Sequence, residues 1–509
     1  MKESSPRRLA CIDVGSGALN LLIAEMHKDR LRVLDELSKS VALGRDCFSR
    51  GSIQRTTIRE TCEILLGFRA LLNEYKVDEV RAVATSALRE AANRDWVLDQ
   101  IRVSTGFQVQ VLSSAEEHYT TFKALDDGVE NYRKMRREGM LIIDVGYGST
   151  EISEIRNDRL VMSLNIRMGA LRLWELISSA ARQSGRYPPL LEEYIISNLD
   201  HVRAMVRLKD ISHCLVLSGE AGQLLKLAGG HVTRRRFDQL YLDVRDMTPG
   251  EMERNYSIPA PHAEILLPTM MMIRAIMDMT GAESLHLATS ALKEGVVAEM
   301  RDAALGRPNL GTADMLSQAE ALTARQRGDK RHARDVEEKA ARLFDELRPL
   351  HDLTERDRLL LRLGALTHDM GKRLSTVNHG EQSAHILLAN PILGLSDSEL
   401  EVVSYLCRFH SGSVPTPVLQ SPASLSPGQH LRAVKLLSIL RMADAMDKGH
   451  QQKLTLEKVA LDGEKLTLFA LANQDATLEK WIFEQKSELF FEIFGIKTRL
   501  KVKRGDING

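Results

Sequence analysis

Two short stretches of the chain repeat a pattern in which an aspartate is followed by glycines. Asp-Val-Gly-Ser-Gly begins at Asp13, and Asp-Val-Gly-Tyr-Gly begins at Asp144. Glycines at the tip of a turn let backbone N–H groups approach a phosphate without obstruction by a Cβ atom. An aspartate at the end of the incoming strand can hold Mg²⁺ beside that phosphate. One copy of the pattern is more often a plain hairpin, but two copies with matching flanks favour phosphate binding.

A second set of residues with possible chemistry lies in the later, helix-rich part of the chain. His332, the pair His368-Asp369 within THDMGK, and Asp444 each fall on a sequence with helical apolar periodicity. Neighbouring helices would project these side chains into one bundle core. Imidazole and carboxylate ligands together suit Mn²⁺, Fe²⁺, Co²⁺, Zn²⁺ or Mg²⁺, and a bound ion makes hydroxide available near neutral pH. Lys372, just after the pair, would help to neutralise a substrate phosphate.

Three further histidines lie near this set. His379 and His410 are candidates for a second metal ion, although each alone is more often a structural or surface residue. His385 is a weaker candidate.

The elements that must position these residues follow from the apolar pattern. Strand and helix patterns alternate up to about residue 306, which favours an α/β fold with a mixed sheet in each half. The pattern is almost entirely helical from residue 307, and it alternates again from Leu454 to Lys503, with a hairpin turn at Asp462-Gly463. The predicted domains are a first lobe, a second lobe, a helical domain and a small α+β domain, at 1–125, 126–306, 307–452 and 453–509.

Composition excludes several classes of function. Of the 509 residues, Lys+Arg and Asp+Glu number 69 each and aromatic residues make up 5%, so no specific DNA binding is expected. The five cysteines form no CxxC pair, which is typical of reduced thiols in the cytoplasm. No stretch reaches ~18 uncharged apolar residues, so the chain is predicted to be cytoplasmic and free of the membrane.

Four further segments carry a family resemblance. They are ATSALREAAN at 84–93, QVLSSAEEHY at 110–119, RMGALRL at 167–173 and ATSALKEGVV at 288–297. Together with the two glycine turns, they resemble landmarks of the exopolyphosphatase / guanosine pentaphosphate phosphohydrolase (Ppx/GppA) family over essentially the full chain. The resemblance implies duplicated actin-like (ribonuclease H-like) α/β lobes, then an all-α HD domain and a small α+β C-terminal cap. It also implies a homodimer that acts on polyphosphate or a phosphorylated guanosine nucleotide.

The resemblance assigns roles to individual residues. Glu117 would be the general base that activates the attacking water. The implied Mg²⁺ ligands in the interlobe cleft are Asp13, Asp144 and Glu151. The implied phosphate-binding residues are Gly15, Ser16, Gly17, Arg89, Gly146, Gly148, Ser149 and Gly219. The alternative for Glu116-Glu117 is a solvated helix N-terminus favoured by the helix dipole.

The chain departs from the family pattern in three loops. The first loop has Gly17, Ala18 and Asn20 where the family has Asn, Ser and a phosphate-clamping Arg, which Asn cannot replace. The second loop has Tyr147 at a family glycine, and the third has Glu220 near an expected anion. These departures predict an activity that is feeble, altered in substrate or lost.

The later histidines and aspartates resemble a second family. The order His332, His368-Asp369 and Asp444 resembles the HD metal-dependent phosphohydrolase superfamily. Gln382 stands where a further histidine is usual, which argues against two metal ions.

Three hypotheses remain open at this point. The first is a Mg²⁺-dependent phosphoanhydride hydrolase in the interlobe cleft, which releases orthophosphate from polyphosphate or pppGpp. The second is an HD-domain phosphohydrolase with the actin-like part as a sensor of a phosphate ligand. The third is a non-catalytic regulator that binds a phosphorylated ligand.

Overall fold

The computed structural model describes residues 6–177, 187–205, 211–228, 232–288, 292–307, 311–412 and 423–504. The chain forms two compact units, Met1–Leu310 and Gly311–Gly509. Within the described ranges, we find no helix with the length and apolar character needed to cross a bilayer.

Two mixed sheets form the framework of the first unit. In the first sheet the order is β3–β2–β1–β4–β5, and its strands are β1 (Arg7–Val14), β2 (Ala18–His27), β3 (Arg30–Ser40), β4 (Glu79–Ala84) and β5 (Val109–Val111). In the second sheet the order is β10–β11–β9–β6–β7–β8, and its strands are β6 (Met140–Val145), β7 (Thr150–Arg156), β8 (Arg159–Ile166), β9 (His213–Ser218), β10 (Val232–Thr233) and β11 (Ser284–Ala288). Each sheet joins an antiparallel three-stranded meander to parallel strands. The predicted duplication of an α/β lobe is therefore confirmed.

The two glycine turns have the same backbone geometry. Gly15 N–H donates to the carbonyl of Ala18 at 3.0 Å, and Gly146 N–H donates to the carbonyl of Ser149 at 2.9 Å. Each turn joins a central strand of its sheet to the next strand of the meander. The incoming strands, β1 and β6, are almost wholly buried. The repeated sequence thus encodes a repeated structure.

Strand register makes the side chains after each turn equivalent. Asp13 lies opposite Asn20 in the β1–β2 pair, and Asp144 lies opposite Glu151 in the β6–β7 pair. Asn20 and Glu151 therefore occupy the same place in the two lobes. One lobe presents an amide there and the other a carboxylate.

Helices cover both sheets of the first unit. They are α1 (Leu43–Arg50), α2 (Arg55–Glu74), α3 (Ser86–Glu90), α4 (Arg94–Thr105), α5 (Ser114–Gly128), α6 (Tyr132–Glu138), α7 (Ala170–Leu176), α8 (Tyr187–Met205), α9 (Ala221–Ala228), α10 (Arg234–Arg245), α11 (Pro249–Tyr256), α12 (Ala260–Met277) and α13 (Leu292–Ala304). The sequence pattern predicts one helix from Ala87 to Ile101, but the structure divides it into α3 and α4. The amide of Asn93 causes the break, because it pairs with the backbone N–H and carbonyl of Ile53 at 3.0 and 2.9 Å.

Helix α13 packs against the first sheet although it follows the second in sequence. Its Leu292, Val296 and Met300 share a buried cluster with residues of β1, β2 and β4. A Cβ atom on Gly295 would lie 1.9 Å from the carbonyl oxygen of Thr120, so α13 and α5 are in close backbone contact. The expected boundary at residue 306 assigns α13 to the second lobe, whereas its packing assigns it to the first. Residues 289–291, just before α13, lie outside the described part.

The second unit is helical up to residue 445. Its helices there are α14 (Thr312–Arg325), α15 (Lys330–Glu346), α16 (Arg348–His351), α17 (Glu355–Thr367), α18 (His379–Ala389), α19 (Asp397–Phe409) and α20 (Pro427–Ala445), with a 3₁₀ turn at Met370–Arg373. Helix α20 is buried along most of its length and forms the centre of the bundle.

A small α+β element completes the second unit, in agreement with the predicted cap. Its strands and helices are β12 (Leu454–Asp462), β13 (Lys465–Ala472), α21 (Thr477–Lys486), α22 (Glu488–Phe494) and β14 (Lys497–Arg504). Strands β12 and β13 form the predicted hairpin, in which Gly463 adopts a φ of +55°. Strand β14 pairs in parallel with β13.

Candidate functional site

Glu117 lies in the first turn of α5, and its neighbour Glu116 has a different role. Glu116 and Ser113 form a capping box, in which Ser113 N–H donates to the Glu116 carboxylate at 2.9 Å. Glu117 instead accepts a hydrogen bond from Nη1 of Arg89 at 2.9 Å. The helix-terminus interpretation therefore describes Glu116, while the Glu117 carboxylate is held by a guanidinium.

Arg89 is itself held by the first lobe. The same Nη1 also donates to the carbonyl of Leu112 at 2.9 Å. This predicted phosphate ligand thus orients Glu117.

Asp13 is buried at the end of β1. Its Oδ2 accepts a hydrogen bond from Asn20 at 3.0 Å, while its Oδ1 is buried without a hydrogen-bond partner among the described residues. Burial, together with the nearby charge of Glu117, raises the pKa of Asp13 to about 6. A buried carboxylate oxygen with no donor is a position that a cation would satisfy.

The second lobe contributes a matching carboxylate, Asp144, which lies near the imidazole of His118 on α5. Burial raises the pKa of Asp144 to about 7, and the charges of Glu117 and Glu151 act in the same direction. Nε2 of His118 lies 2.9 Å from Oε2 of Glu151, and Nδ1 of His118 lies 3.7 Å from Oδ2 of Asp144. His118 is 4% exposed, and although burial opposes its charge, Glu151 and Asp144 raise its pKa.

These contacts test whether the predicted ligands suit Mg²⁺. Asp13 fits, because its buried Oδ1 has no hydrogen-bond donor among the described residues. Asp144 fits, because its half-buried carboxylate has a raised pKa. Glu151 already has protein partners, since Asn165 donates to it and His118 lies beside it. The cation site that this cleft could provide therefore rests on Asp13 and Asp144, with Glu151 held by His118.

The first and second glycine turns face each other across the cleft. A Cβ atom on Gly148 would lie 2.7 Å from Phe48 and 2.9 Å from Ser86, both in the first lobe. A Cβ atom on Gly17 would lie 2.4 Å from the ring of Tyr147 in the second lobe. Glycine at these two positions therefore permits close approach of the loops.

Ser16 and Ser149 differ in their surroundings. Ser16 Oγ lies 2.9 Å from Ser86 Oγ and accepts from Ala87 N–H at 3.1 Å, so this predicted phosphate ligand is turned into its own lobe. Ser149 is half-buried, and its carbonyl accepts the hydrogen bond that closes the second turn.

Arg172 joins the lobes beside the second turn. Its Nε donates to the carbonyl of Gly148 at 2.8 Å, and its Nη2 contacts both carboxylate oxygens of Glu90 at 2.9 and 2.8 Å. The guanidinium also lies over the ring of Phe48, 4.4 Å from its centroid. These contacts hold the second loop against the first lobe.

The third loop brings Gly219 and Glu220 to the same region. A Cβ atom on Gly219 would lie 3.7 Å from Cε2 of Tyr147. Glu220 is 1% exposed, and its Oε1 lies 3.0 Å from Nδ1 of His262. Its Oε2 is buried without a hydrogen-bond partner in the described part of the chain. The negative charge of this residue is thus enclosed and partly compensated by His262.

In the second unit, four predicted residues converge. Nε2 of His332 lies 3.1 Å from Nε2 of His368, 3.3 Å from Oδ2 of Asp369 and 3.4 Å from Oδ1 of Asp444. All four side chains are buried. Their potential ligand atoms form overlapping groups within 4.8 Å of one another.

The histidines of this cluster are fixed with Nε2 directed inward. Nδ1 of His368 contacts the carbonyl of Ala365 at 2.7 Å, and Nδ1 of His332 contacts the carboxylate of Asp447 at 2.9 Å. Such contacts place the ring proton on Nδ1 and leave Nε2 as the electron-pair donor, which is the form that binds metal ions. Burial opposes a charge on His332, yet the surrounding Asp369, Asp444 and Asp447 raise its pKa to about 11, so a proton competes with a metal ion for its Nε2. The cluster of His332, His368, Asp369 and Asp444 therefore attracts a positive charge, and its imidazole and carboxylate groups fit a divalent metal ion.

His379 and His410 join the same cluster on its other side. Nε2 of His410 lies 3.2 Å and Nε2 of His379 lies 3.4 Å from Oδ1 of Asp369. Burial lowers the pKa of His410 to about 4 and also lowers that of His379, which favours the neutral, metal-binding form of both rings. Asp369 Oδ1 accepts no hydrogen bond from the described residues. Asp369 thus divides its two oxygens between two groups of histidines.

Three more residues complete the cluster. Lys372 Nζ lies 2.5 Å from Oδ2 of Asp369 and 2.7 Å from Nε2 of His450. Lys486, at the end of α21, contacts Oδ2 of Asp444 and is 5% exposed. His385, by contrast, lies on the surface.

Comparison with known proteins shows the family. A model described as the Ppx/GppA phosphatase family matches residues 22–304, and one described as Ppx/GppA phosphatase, domain III, matches residues 317–487. The chain belongs to the Ppx/GppA phosphatase family. It is accordingly a phosphohydrolase, and the predicted family and enzyme class are confirmed.

Individual proteins that are similar to this chain agree with the family assignment. A guanosine-5'-triphosphate,3'-diphosphate pyrophosphatase of Aeromonas hydrophila is 24% identical over 96% of this chain and 98% of its own length. A protein of the same description from Vibrio vulnificus is 21% identical over 90% of this chain and 91% of its own length. The crystal structure of an exopolyphosphatase from Cytophaga hutchinsonii covers 58% of this chain and 98% of its own, with a TM-score of 0.52 and 21% identity, and it supports the fold.

Some residues at these sites were not predicted from the Ppx/GppA pattern. His118 follows Glu117 directly, and its sequence position alone does not reveal that it faces the second lobe. Asp447 lies three residues after Asp444, a spacing that places both on one side of a helical segment. Lys486 belongs to a different predicted domain from its partner Asp444, and no local pattern indicates their contact.

Proposed function

We propose that this chain hydrolyses a terminal phosphoanhydride bond in the cleft between its two actin-like lobes and releases orthophosphate. The proposed substrates are pppGpp or polyphosphate, a proposal supported by the names of its relatives. The observation that carries the proposal is the position of Glu117. Arg89 of the first lobe holds the Glu117 carboxylate at 2.9 Å. The next residue, His118, lies 2.9 Å from Glu151 and 3.7 Å from Asp144 of the second lobe, so this turn of α5 lies against the second lobe.

In this mechanism Glu117 accepts a proton from water as the water oxygen bonds to the terminal phosphorus. The anhydride P–O bond breaks, and the remaining phosphate chain leaves with its oxygen. Arg89 orients the Glu117 carboxylate through the 2.9 Å hydrogen bond. Asp13 and Asp144 would hold Mg²⁺, which supplies positive charge to the phosphate oxygens when bound. The backbone of the two glycine turns contacts the phosphate oxygens.

The test compares two adjacent glutamates. Glu117→Gln should lower phosphate release from pppGpp or polyphosphate with Mg²⁺ by about 10²–10⁴-fold, the usual contribution of a general base. Glu116→Gln is the matched control, because glutamine still completes a capping box, and it should retain activity. Equal activity of wild type and Glu117→Gln on every substrate would refute catalysis in this cleft.

A second function is favoured by the histidine–aspartate cluster of the second unit. We infer that this unit is an HD-type metal-binding domain with phosphohydrolase activity on a phosphate ester or nucleotide. His332, His368, Asp369 and Asp444 would hold one divalent ion. Asp369 shares its other oxygen with His379 and His410, which supports a second ion despite Gln382. A bound ion would supply hydroxide near neutral pH, and Lys372 would contact the substrate phosphate.

Metal content and activity test this second function separately. His368→Ala should lose bound Mn²⁺, Fe²⁺, Co²⁺ or Zn²⁺ in elemental analysis, together with any activity that Glu117→Gln retains. His385→Ala is the matched control, because His385 lies on the surface of α18. An unchanged metal content in His368→Ala would contradict the proposed site. The homodimer and the cytoplasmic location stay predictions.

A further inference from the structure

Tyr147 occupies the place in the second turn that Ser16 occupies in the first. Each residue follows the first glycine of its turn, and the two turns share the same backbone hydrogen bond. Ser16 is turned back into its own lobe, where it contacts Ser86. Tyr147 instead projects its ring across the cleft to the opposite lobe. The two turns are therefore equivalent in backbone but differ in this side chain, because only Tyr147 reaches the opposite lobe in the proposed active site.

The backbone around Tyr147 fixes this direction. Its carbonyl accepts hydrogen bonds from the N–H groups of Leu171 and Arg172, both at 3.1 Å, at the start of α7. A Cβ atom on Gly169 would lie 2.4 Å from that carbonyl oxygen, so glycine lets the segment pack closely behind the turn. The peptide is therefore held on the second lobe, while the side chain faces the other way.

The ring reaches from the first loop to the third. Its Cε1 edge would lie 2.4 Å from a Cβ atom on Gly17, and its Cε2 edge would lie 3.7 Å from one on Gly219. The buried carboxylate of Glu220 follows directly after Gly219. An aromatic ring with a carboxylate behind it offers poor solvation to a polyanion. A phosphate chain cannot run between these loops without displacing the ring.

We propose that Tyr147 is a specificity-determining residue that closes the path between the first and third loops. The cleft then admits a short terminal phosphate chain and excludes the internal phosphates of a long polyphosphate. The substrate class is then a nucleoside that carries a short 5'-phosphate chain, or a polyphosphate of a few residues. This inference rests on the proposed phosphoanhydride hydrolysis and narrows its substrate.

Chain-length dependence of hydrolysis tests the inference. We compare kcat/KM for pppGpp, tripolyphosphate and long-chain polyphosphate in wild type, Tyr147→Gly, Tyr147→Ser and Tyr147→Phe. The ratio of long-chain polyphosphate to tripolyphosphate should rise by about tenfold or more in Tyr147→Gly and Tyr147→Ser. Tyr147→Phe keeps the ring and should keep the wild-type ratio. A ratio unchanged within about twofold in both small variants overturns the inference.

Binding separates this inference from the proposed catalysis. In the Glu117→Gln background, adding Tyr147→Gly should tighten binding of long-chain polyphosphate by about tenfold relative to tripolyphosphate in calorimetry. Tyr147→Ser serves as the second variant in case Tyr147→Gly folds poorly, since Ser16 is tolerated at the equivalent place. If wild type and Glu117→Gln are equally active but this binding ratio shifts, the catalytic proposal fails and the role of Tyr147 stands. If Glu117→Gln abolishes hydrolysis but the ratio stays constant, the role of Tyr147 is wrong.

Discussion

The ring of Tyr147 in the second lobe packs against the Cα atom of Gly17 in the first. A Cβ atom on Gly17 would lie 2.4 Å from Cε1 and 2.6 Å from Cζ of that ring. Both residues stand at positions where the sequence departs from the family pattern, and the structure brings them into contact. A tyrosine in one turn requires a glycine in the other.

Gly17→Ala should therefore destabilise the first unit through its contact with Tyr147. The added methyl group forces the ring to move, at a cost of about 1–3 kcal/mol in the free energy of unfolding. In the Tyr147→Gly background, the loss of unfolding free energy caused by Gly17→Ala should be smaller by at least about 1 kcal/mol, because the obstructing ring is absent. Denaturant titration of the four proteins measures this coupling. Additive effects of the two substitutions would show that the loops do not meet as described.

Gly295→Ala should have a larger effect, because its obstacle is main chain. The new Cβ atom would lie 1.9 Å from the carbonyl oxygen of Thr120 on α5, the helix that begins just before Glu117. We expect a loss of about 3 kcal/mol in unfolding free energy and reduced kcat from displacement of Glu117. Gly67→Ala is the control, since Gly67 lies in α2 with no neighbour within 4 Å of a Cβ atom. It should stabilise the protein by about 0.5–1 kcal/mol.

The pair formed by His262 and Glu220 should make stability depend on pH. The contact with Glu220 raises the pKa of His262, while burial and Lys226 act against its charge. A group with a raised pKa in the folded state stabilises the fold fully below its unfolded pKa of about 6.5. That stabilisation is lost as pH rises through the folded pKa.

The measurement is thermal unfolding of wild type and His262→Asn from about pH 5.5 to about pH 8.5, which runs from about one unit below the unfolded pKa to about two units above it. The Tm difference between them should be largest at the acidic end and shrink towards the alkaline end. His385→Asn, a change on the exposed face of α18, controls for loss of a surface histidine. A constant difference across the range would contradict a charged His262.

The local parts of this structure could be predicted from sequence, because each depends on residues that are close in the chain. Alternation of apolar residues and glycines at turn tips identified the duplicated hairpins around Asp13 and Asp144. Capping of α5 by Ser113 and Glu116 is equally local. The break at Asn93 was missed, since its amide bonds a residue of another segment, Ile53.

At both sites, the contacts that could not be predicted join residues that are far apart in the sequence. His379 and His410 are weak candidates one at a time, and they gain meaning only when folding directs both to Asp369. The contact of Lys486 with Asp444 joins two predicted domains, so no helical or strand period can reveal it. The contact between Tyr147 and Gly17 could not be predicted either. The sequence shows a bulky residue in the second turn, but not that a glycine of the first turn makes room for its ring.

The metal site of the second unit predicts a stabilisation that is independent of catalysis. An ion that binds the folded cluster of His332, His368, Asp369 and Asp444, and not the unfolded chain, raises the unfolding free energy by mass action. At a free Mn²⁺ concentration of about 100 times Kd the increase is about 2.7 kcal/mol. Calorimetry of the full chain after chelation, with and without added Mn²⁺, should therefore show a higher Tm with the ion for wild type and His385→Ala. His368→Ala removes an inward Nε2 donor and should lose most of this shift, whereas an equal shift in all three proteins would place the ion elsewhere.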